Sequence, residues 1–526
     1  MVRQDLIRLI QKATGEKPGK IKIEHPEDAS HGDYSTNIAL QLKRNPAEIV
    51  KKIKSNIFEK TEVARPGFIN FFLSKECLQK QVGEILKQGE KFGQLKIGKN
   101  KKVQIEFISA NPTGELHLGH GRGAFFGDTI SNVLEKAGYK IIREYYINDA
   151  KNSTQIKELG RTALGKGITY LNEYLKEKIQ ISKSKIQKCK DYNPPSALPF
   201  RWAPEGEAGY LLAQEVQKDI KDFIENKLKI KFDNWVSEEE LYKKNKVEKI
   251  YNWLKKQNLI YKKEGAEWLK TSQFGDKQDW VIIRETGEPT YLLSDIAYHK
   301  DKFDRGFQKI INIWGADHQG HVGKIKAVAK ILNYKGDLDI LISQVVRLKK
   351  GKISKRKGEV VTLEWLIDEV GLDAARFFYL MKSLDTQMEF NVGLAKERSE
   401  KSPVYYVQYA HTRICGVLRK LKTKNEKLKT TTKNLKLLNH PSELGLIKQL
   451  IRFPENIEDT AKDYQVQRIP QYAVDLATVF HQFYRDCRVI SDNQVLTQAR
   501  LSLILATKTV LKHTLNLMGV SAPEKM

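Results

Sequence analysis

Cysteine is scarce in this chain, and long apolar runs are missing from it. Its four cysteines (Cys77, Cys189, Cys415 and Cys487) are far apart and form no C-x-x-C pair. This spacing argues against a zinc site or a disulfide framework and fits a reducing compartment. The chain has no run of about eighteen apolar residues, and its first residues lack the apolar core of a signal peptide. We therefore expect a soluble, cytoplasmic protein that holds no protein-bound metal and binds no membrane.

Acidic residues are also in deficit. The chain has 91 lysine and arginine residues against 64 aspartate and glutamate residues, which gives a net charge of +27. A surplus of this size indicates a polyanionic partner, and nucleic acid is the first candidate. A solubility surface, or lysine enrichment in a biased genome, would produce the same charge. Charge alone therefore does not decide the function.

The chain is long and has enough apolar residues to build cores. With 526 residues, of which 40% are hydrophobic and 9% aromatic, it exceeds what one hydrophobic core usually serves. A disordered chain is excluded by the same composition. We expect two to four domains.

Helix and strand patterns divide the chain into three domains and predict an α/β multidomain protein. Residues 1–88 predict a small α/β domain. Residues 100–383 begin as strand, glycine turn, helix and strand, the order of a nucleotide-binding βαβ unit. Strands resume after a charged, helical segment, so this part predicts a split Rossmann catalytic domain with an insertion at about 152–280. Residues 384–526 predict an all-α C-terminal helical bundle.

A glycine turn with two histidines opens the first helix of the predicted Rossmann domain. A helix N-terminus offers unpaired N–H groups and a partial positive charge, which suit phosphate. Gly119 allows a ligand to approach the backbone closely. His117 and His120, three residues apart, can face one ligand, and an imidazolium would suit a negatively charged transition state. Two helix-entry histidines satisfied by the backbone would look the same in isolation.

A cationic segment bounded by glycines follows much later in the chain, between Lys349 and Gly358. It can close over a triphosphate and place the ammonium groups of Lys352 and Lys355 on the β- and γ-phosphates. A lysine run by itself is usually a solvated surface. The segment therefore gains its meaning from the histidine turn that precedes it.

Together and in this order, the two segments resemble the two ATP-handling signatures of class I aminoacyl-tRNA synthetases. The residues that carry the likeness are His117-Leu118-Gly119-His120 and Lys352-Ile353-Ser354-Lys355-Arg356. The stretch that leads into the first signature, Ala110 to Leu116, resembles the arginyl-tRNA synthetase form of it. The likeness to this family extends over nearly the whole chain in the right order.

This resemblance implies an ATP site and an arginine site. The residues it assigns to ATP are His117, Gly119, His120, Asp317, Lys352, Ser354 and Lys355, of which His117, His120, Lys352 and Lys355 would act in catalysis. Those it assigns to arginine are Glu106, Ser109, Asn111, Tyr291, Asp295 and Gln319. A buried guanidinium must be met by carboxylates in fork geometry, because an unpaired buried charge is costly. Which carboxylate takes the guanidinium, and which the α-amino group, stays open.

The resemblance also implies two regions that contact tRNA. The N-terminal domain would contact the outer corner of the tRNA, and the helical C-terminal domain would bind the anticodon. Aromatic and basic residues alternate at the start of the C-terminal domain, a pattern that suits stacking on unpaired bases and contact with phosphates. The tyrosines there can equally form a helical core stripe. The residues predicted to contact RNA are Tyr406, Gln408, His411 and Arg413.

The implied function is ATP-dependent activation of L-arginine and its transfer to the terminal adenosine of tRNA(Arg). ATP would bind with Mg²⁺, the first step would require bound tRNA, and the enzyme would be a monomer. One alternative is a synthetase for another amino acid, and a second is a synthetase-like RNA-binding protein without catalysis. The lysine-rich stretch from Lys151 to Lys190 matches the family poorly and receives no role, and no editing domain is expected within the insertion.

Overall fold

The structure is a computed structural model that describes residues 1–189, 204–349, 361–423 and 434–526. The chain divides into two units. Met1–Leu95 and Glu397–Met526 together form one of them, and Lys96–Lys396 forms the other. The two ends of the sequence therefore share a unit, although more than three hundred residues separate them. Among the described helices, none has the length and apolarity needed to cross a bilayer.

The N-terminal part of the first unit is a small α/β arrangement, as predicted. Its elements are α1 (Val2–Thr14), β1 (Tyr34–Thr36), α2 (Ile38–Leu42), α3 (Pro46–Lys52), β2 (Phe58–Ala64), β3 (Phe68–Leu73) and α4 (Lys75–Gln88). The three strands form an antiparallel sheet in the order β1-β3-β2. The helix starts are chemically ordinary, since Asn45 caps α3 and Ser74 caps α4 with side-chain oxygens.

The second unit is built on a parallel five-stranded sheet. Its strands are β4 (Lys102–Glu106), β5 (Lys140–Ile147), β6 (Asn234–Ser237), β7 (Ile260–Lys263), β8 (Ala266–Leu269), β9 (Trp280–Ile283), β10 (Lys309–Gly315), β11 (Asp337–Ser343), β12 (Val346–Leu348) and β13 (Met388–Phe390). Its helices are α5 (Leu118–Lys136), α6 (Thr154–Ala163), α7 (Glu173–Ile181), α8 (Lys183–Lys188), α9 (Pro204–Asp222), α10 (Glu238–Lys243), α11 (Lys246–Lys256), α12 (Tyr291–Asp304), α13 (Val322–Ile331), α14 (Leu363–Val370), α15 (Leu372–Leu380) and α16 (Val392–Lys396).

Strand order fixes where this sheet can bind a ligand. The order is β11-β10-β4-β5-β6, and every neighbouring pair in it is parallel. The chain runs from β4 to one side through β5 and β6, then returns to the other side for β10 and β11. Ligands of such sheets bind beyond the carboxyl ends of the strands where this direction changes. Here that point lies between β4 and β10.

Short strands account for the differences from the predicted pattern. The segment 152–280, predicted as helical and as interrupting the sheet, supplies β6 to the main sheet and also contains β7 and β8 of a separate antiparallel sheet. Past residue 384, where only helices were predicted, β13 pairs with β12. Strands of three or four residues are too short to show an alternating apolar pattern, so only backbone pairing reveals them.

The C-terminal part of the first unit is helical, as predicted. Its helices are α17 (Pro403–Thr423), α18 (Pro441–Ile451), α19 (Phe453–Asp463), α20 (Arg468–Asp486) and α21 (Gln494–Leu517). Several polar contacts join it to the N-terminal elements, among them two that involve buried side chains of those elements. The Arg3 guanidinium donates to Asp459 at 2.7 Å, and the Tyr34 hydroxyl donates to Glu455 at 2.8 Å. These buried contacts help to explain why both ends of the chain share a unit.

Candidate active site

A cleft of about 1740 Å³ opens at the carboxyl ends of β4 and β10. Most of the predicted site residues in the described part of the chain line it: Glu106, Ser109, Asn111, His117, Gly119, His120, Tyr291, Asp295 and Asp317. Gln319 does not line it, because its side chain is exposed on the 3₁₀ turn that follows β10. Lys352, Ser354 and Lys355 lie outside the described residues, so their positions stay predictions.

Two histidine rings stand side by side at the entry of α5. His117 is the N-cap residue, and its Nδ1 accepts the backbone N–H of Gly119 at 3.0 Å. The Nδ1 of His120 accepts the N–H of His117 at 3.1 Å, and the two ring centroids are 3.8 Å apart. Because each Nδ1 accepts a hydrogen bond, each neutral ring carries its proton on Nε2. The pair therefore offers two Nε2–H donors beside the helix N-terminus.

Both histidines are neutral in the free protein at neutral pH. Burial lowers the pKa of His117, and the charge of Asp317 opposes that effect only in part. Burial, together with repulsion from His117, lowers the pKa of His120 to about 3. The imidazolium considered from the sequence concerned the transition state, and it stays a prediction. A neutral Nε2–H can still donate to a phosphate oxygen.

The turn between β4 and α5 holds backbone in the left-handed region. Ile108 has a φ of 68° and Ser109 a φ of 40°, conformations that are costly for residues with a side chain. Two contacts hold the turn: the Ser109 Oγ accepts the N–H of Tyr146 at 3.1 Å, and Asn148 donates to the Ser109 carbonyl at 3.2 Å. The turn leads Asn111 into the cleft wall. Strained backbone of this kind is found at ligand sites, where surrounding contacts hold it in place.

The described residues on either side of the second signature also lie at the cleft. Leu348, at the end of β12, and Val361 both line it. The N–H of Leu118 donates to the Val361 carbonyl at 3.2 Å, and the N–H of Leu363 donates to the Leu116 carbonyl at 2.7 Å. The chain that follows the second signature is therefore bonded directly to the first.

Three carboxylates in the cleft, Glu106, Glu238 and Asp295, form what we call the acid cluster. No described residue donates a hydrogen bond to the Asp295 carboxylate. Burial, together with the charges of Glu238 and Glu106, raises the pKa of Asp295 well above its usual value. Burial also raises the pKa of Glu238 to about 7, although the Ser294 hydroxyl donates to it at 2.5 Å. Carboxylates that repel one another in a buried site favour a cationic ligand.

Glu106 has an internal counter-ion that sequence reasoning missed. Lys302, fully buried on α12, forms an ion pair with the Glu106 carboxylate. Its ammonium group also donates to the Asn312 side chain at 2.9 Å. Glu106 is therefore paired within the protein, whereas Glu238 and Asp295 remain available for a ligand. A lysine within an ordinary helix gave no signal of this role.

Glu238 was also missed, and the fold shows why it lies in the site. It is the first residue of α10, directly after β6, and Ser237 caps that helix by accepting the N–H of Glu240 at 3.2 Å. The buried Asp149 carboxylate accepts the N–H of Glu239, the residue directly after Glu238, at 3.0 Å. Three glutamates at a helix start look like ordinary helix-dipole partners in a sequence. Only the placement of β6 beside β5 brings the first of them into the cleft.

Tyr291, one of the predicted arginine contacts, has 50% of its surface accessible. Its hydroxyl accepts a hydrogen bond from Lys324 at 3.1 Å, and that ammonium group lies 3.5 Å from the centroid of the Trp280 ring. Lys324 is itself buried. The tyrosine therefore occupies the rim of the cleft, where a held cation orients it.

The predicted tRNA contacts of the first unit fall into two groups. Gln408 and His411 are buried, and they bond the C-terminal segment: Gln408 donates to the Ser521 carbonyl at 3.0 Å, and His411 contacts the Pro523 carbonyl at 2.9 Å. Their polar atoms therefore serve internal contacts rather than a surface. The helical pattern did not reveal this, because the segment that covers them lies more than a hundred residues later.

The other group belongs to a partly exposed aromatic and basic surface. Tyr409 is exposed, and the Arg413 guanidinium lies 5.1 Å from its ring centroid and 4.6 Å from that of Tyr484. Tyr405 stacks on Tyr409 with centroids 6.1 Å apart, and Tyr406 is half-buried against His481. We call Tyr405, Tyr409, Arg413 and Tyr484 the aromatic patch. Sequence reasoning favoured Tyr406 over Tyr409, because every third or fourth residue of a helix suits a core equally well.

The parallel sheet, and the helix that begins at the two histidines, form the catalytic domain of a class I aminoacyl-tRNA synthetase. A protein-family model described as "tRNA synthetases class I (R), catalytic domain" matches residues 81–197 and 201–391 of this chain. Those described as "Arginyl tRNA synthetase N terminal domain" and "DALR anticodon binding domain" match residues 1–73 and 407–526. The chain belongs to the arginyl-tRNA synthetase family.

Individual relatives agree with this assignment. The chain is 40% identical to an arginine–tRNA ligase of Carboxydothermus hydrogenoformans, over 98% of this chain and 100% of the relative. A crystal structure of a Campylobacter jejuni arginyl-tRNA synthetase matches with a TM-score of 0.73 and 34% identity, over 86% of this chain and 100% of that one. The Thermus thermophilus arginyl-tRNA synthetase shares the fold, with a TM-score of 0.79 at 20% identity over the full length of both chains.

Proposed function

We propose that this chain is an arginine–tRNA ligase. It joins L-arginine to the 3′-terminal adenosine of tRNA(Arg), using ATP and releasing AMP and pyrophosphate. The observation that carries the proposal is the acid cluster, which favours a cation, beside a helix N-terminus that favours phosphate. A substrate with a cationic side chain and a carboxylate that reacts with ATP fits both features at once.

The separation of these two features orients the substrate. The carboxylate of the amino acid must reach the α-phosphate, which the positive end of the α5 dipole and the Nε2–H groups of His117 and His120 attract. The long side chain then extends toward Glu238 and Asp295. Because Lys302 already pairs with Glu106, we assign the guanidinium to Glu238 and Asp295. A planar cation with several donors can satisfy two carboxylates in a way that a lysine ammonium cannot.

Activation is an in-line displacement at the α-phosphate. An oxygen of the arginine carboxylate forms a bond to the α-phosphorus, and the bond to the pyrophosphate oxygen breaks. Negative charge grows on the equatorial phosphate oxygens during this step, and the Nε2–H groups of His117 and His120 donate to them. By family resemblance, Lys352 and Lys355 would neutralise the departing pyrophosphate with Mg²⁺, and Asp317 would bind the ribose. No covalent enzyme intermediate is needed.

Transfer to tRNA completes the reaction. A hydroxyl of the terminal adenosine attacks the carbonyl carbon of arginyl-adenylate, and AMP departs with the bonding electrons. The aromatic patch suits the anticodon end of the tRNA, because its rings can stack on unpaired bases and Arg413 can contact phosphate. The net charge of +27 supports this partner. We further propose that the enzyme is cytoplasmic and acts as a monomer.

Aminoacylation of total tRNA by the purified protein tests the proposal, with each labelled amino acid in turn and with ATP–pyrophosphate exchange measured with and without tRNA. We expect charging by arginine alone and exchange only when tRNA is present. A Lys355→Ala variant should bind tRNA and form far less product. Charging by another amino acid would overturn the assignment of the acid cluster. Tight tRNA binding without any charging would instead indicate an RNA-binding protein.

A further inference from the structure

We propose that the Tyr146 hydroxyl, which has no acceptor among the described residues of the free protein, donates a hydrogen bond to the acid cluster when arginine is bound. The inference rests on the proposed function. In the free protein this hydroxyl is buried and has no partner among the described residues, although its side chain lines the cleft. An unpaired buried hydroxyl costs roughly 1–3 kcal/mol, so a protein that retains one has a use for it or a later partner for it.

A neighbouring tyrosine shows that the hydroxyl could have been satisfied. Tyr298 stacks on Tyr146 with ring centroids 4.0 Å apart and planes 13° from parallel. The Tyr298 hydroxyl donates to the Glu144 carboxylate at 2.8 Å. Both rings are buried, with 4% of Tyr146 and 1% of Tyr298 exposed. The two nearly parallel tyrosines of this cleft wall therefore differ in their hydroxyl groups: that of Tyr298 has an acceptor in the protein, and that of Tyr146 has none among the described residues.

The surroundings of Tyr146 fix the position of its ring, so the hydroxyl cannot move to another acceptor. The residue lies on β5, between β4 and β6, and its N–H donates to the Ser109 Oγ at 3.1 Å. The stacked Tyr298 ring occupies one face. A ring held this firmly keeps its hydroxyl in one place. A change in the hydroxyl's bonding must therefore come from groups that move or change charge near it.

The acid cluster contains such groups. Tyr146, Glu238 and Asp295 line the same cleft. Burial, followed by the negative charges of Glu238 and Asp295, raises the pKa of Tyr146 well above its usual value. In the free site these carboxylates hold protons more readily than usual. A bound guanidinium ionises them, and an ionised carboxylate is a much stronger acceptor. The hydroxyl then donates to Glu238, which keeps that carboxylate ionised and oriented toward the substrate.

Tyr146 is in this account a positioning residue that acts through Glu238. Its effect should appear in arginine binding and in the pH dependence of that binding, with no loss of stability in the free protein. The Tyr146→Phe variant should raise the KM for arginine roughly tenfold, because a hydrogen bond to a charged group is lost. The KM for ATP should stay unchanged. The pH midpoint set by Glu238 in the free protein should stay where it is, because the hydroxyl has no partner there among the described residues. The pKa of Glu238 in the arginine complex should instead rise by about one unit, since that shift corresponds to a tenfold change in affinity.

Tyr298→Phe is the matched control, and both variants are measured by aminoacylation kinetics and thermal unfolding. It removes the hydroxyl that the protein already binds, so it should lower the Tm, whereas Tyr146→Phe should leave the Tm unchanged or raise it. A double-mutant cycle with Glu238→Gln gives a second readout. If the hydroxyl acts through Glu238, the Tyr146→Phe effect should largely disappear in the Glu238→Gln background.

The outcomes separate this inference from the function on which it rests. If the unaltered protein does not charge tRNA with arginine, the proposed function fails. If it does, and Tyr146→Phe changes neither the KM for arginine nor the pKa of Glu238 in the arginine complex, only the role of Tyr146 is overturned. A drop in Tm with Tyr146→Phe and no change in arginine use would mean that the hydroxyl has a structural partner. Additive effects in the double-mutant cycle would overturn the action through Glu238.

Discussion

Glu144 and Glu238 are buried carboxylates on or directly after neighbouring strands, and their surroundings are opposite. Glu144, on β5, accepts hydrogen bonds from Gln104, Tyr298 and Arg305. Burial alone would raise the pKa of Glu144, but the hydrogen bond from Arg305 and nearby positive charge hold it below its usual value. Glu238, directly after β6, has one side-chain donor, Ser294, and its pKa is raised.

The difference separates a structural carboxylate from one that serves a ligand. A buried charge is tolerated when the protein supplies its counter-ion and its hydrogen bonds, as it does for Glu144. None of the described residues supplies such a counter-ion to Glu238 and Asp295, so a bound cationic ligand must supply it. The comparison leads to four predictions, ordered from the largest expected effect.

The largest effect should come from Asp295→Asn. An amide cannot pair with a buried guanidinium, so kcat/KM for arginine should fall roughly 10³-fold in steady-state aminoacylation. The free protein should lose no stability, because a repelled carboxylate is removed. Asp304→Asn is the control on the same helix, since its exposed carboxylate pairs only with Lys300, and it should behave as the unaltered protein. Equal loss in both variants would show that α12, rather than the carboxylate, matters.

Glu144→Gln should show the opposite pattern. It removes the carboxylate that accepts hydrogen bonds from the Arg305 guanidinium and leaves only the longer pair with Asp301, at 3.4 Å, among the described residues. The free energy of unfolding should therefore fall by about 3 kcal/mol in urea titrations. The KM for arginine should change far less than in Asp295→Asn. Glu135→Gln removes an exposed partner of Arg143 and should cost less than about 1 kcal/mol. If Glu144→Gln keeps its stability and loses arginine binding, Glu144 serves the ligand, and the distinction drawn between Glu144 and Glu238 is wrong.

The pH dependence of arginine binding should report Glu238. Its pKa in the free protein is about 7, against an ordinary value of 4.5, and a guanidinium binds the ionised form. Affinity should therefore rise with pH through 7, by roughly tenfold between pH 6 and pH 8. The raised pKa stabilises the free protein at low pH, and that contribution is lost as pH rises through 7. The increase in Tm caused by arginine should accordingly grow over the same range.

Glu238→Gln sharpens this prediction, because it removes the titrating group. Calorimetric binding of arginine should be weaker and should change less between pH 6 and pH 8. The pKa of His120 is lowered to about 3, well outside this window. A pH dependence that survives in Glu238→Gln would assign it to another group.

The smallest effect extends the comparison to the other unit. Tyr409→Ala should weaken tRNA binding roughly fivefold in filter binding, because it removes a ring on which a base can stack. Gln408→Ala removes the neighbouring side chain, which is buried against the C-terminal segment, and should lower the Tm with little change in affinity. The reverse result would place the RNA surface on the other face of α17.

Much of the fold and part of the site were predictable from the sequence. The glycine turn with His117 and His120 carries its own helix-entry geometry, so it was recognised without a structure. The acid cluster was only partly predictable, because Asp295 stood in a recognisable segment and Glu238 did not. The lowered pKa values of the two histidines could not be predicted, since a local pattern contains no information about burial.

By itself, the sequence determined most of the helices, the long strands of the parallel sheet and the two ATP-handling signatures. These features are local, and each depends on residues within one or two turns of one another. The tertiary structure decided which charges pair: Lys302 with Glu106, Arg305 with Glu144, and neither with Glu238 or Asp295. Such pairs join residues more than a hundred positions apart, and the low dielectric that gives them weight exists only after the sheet and helices have packed.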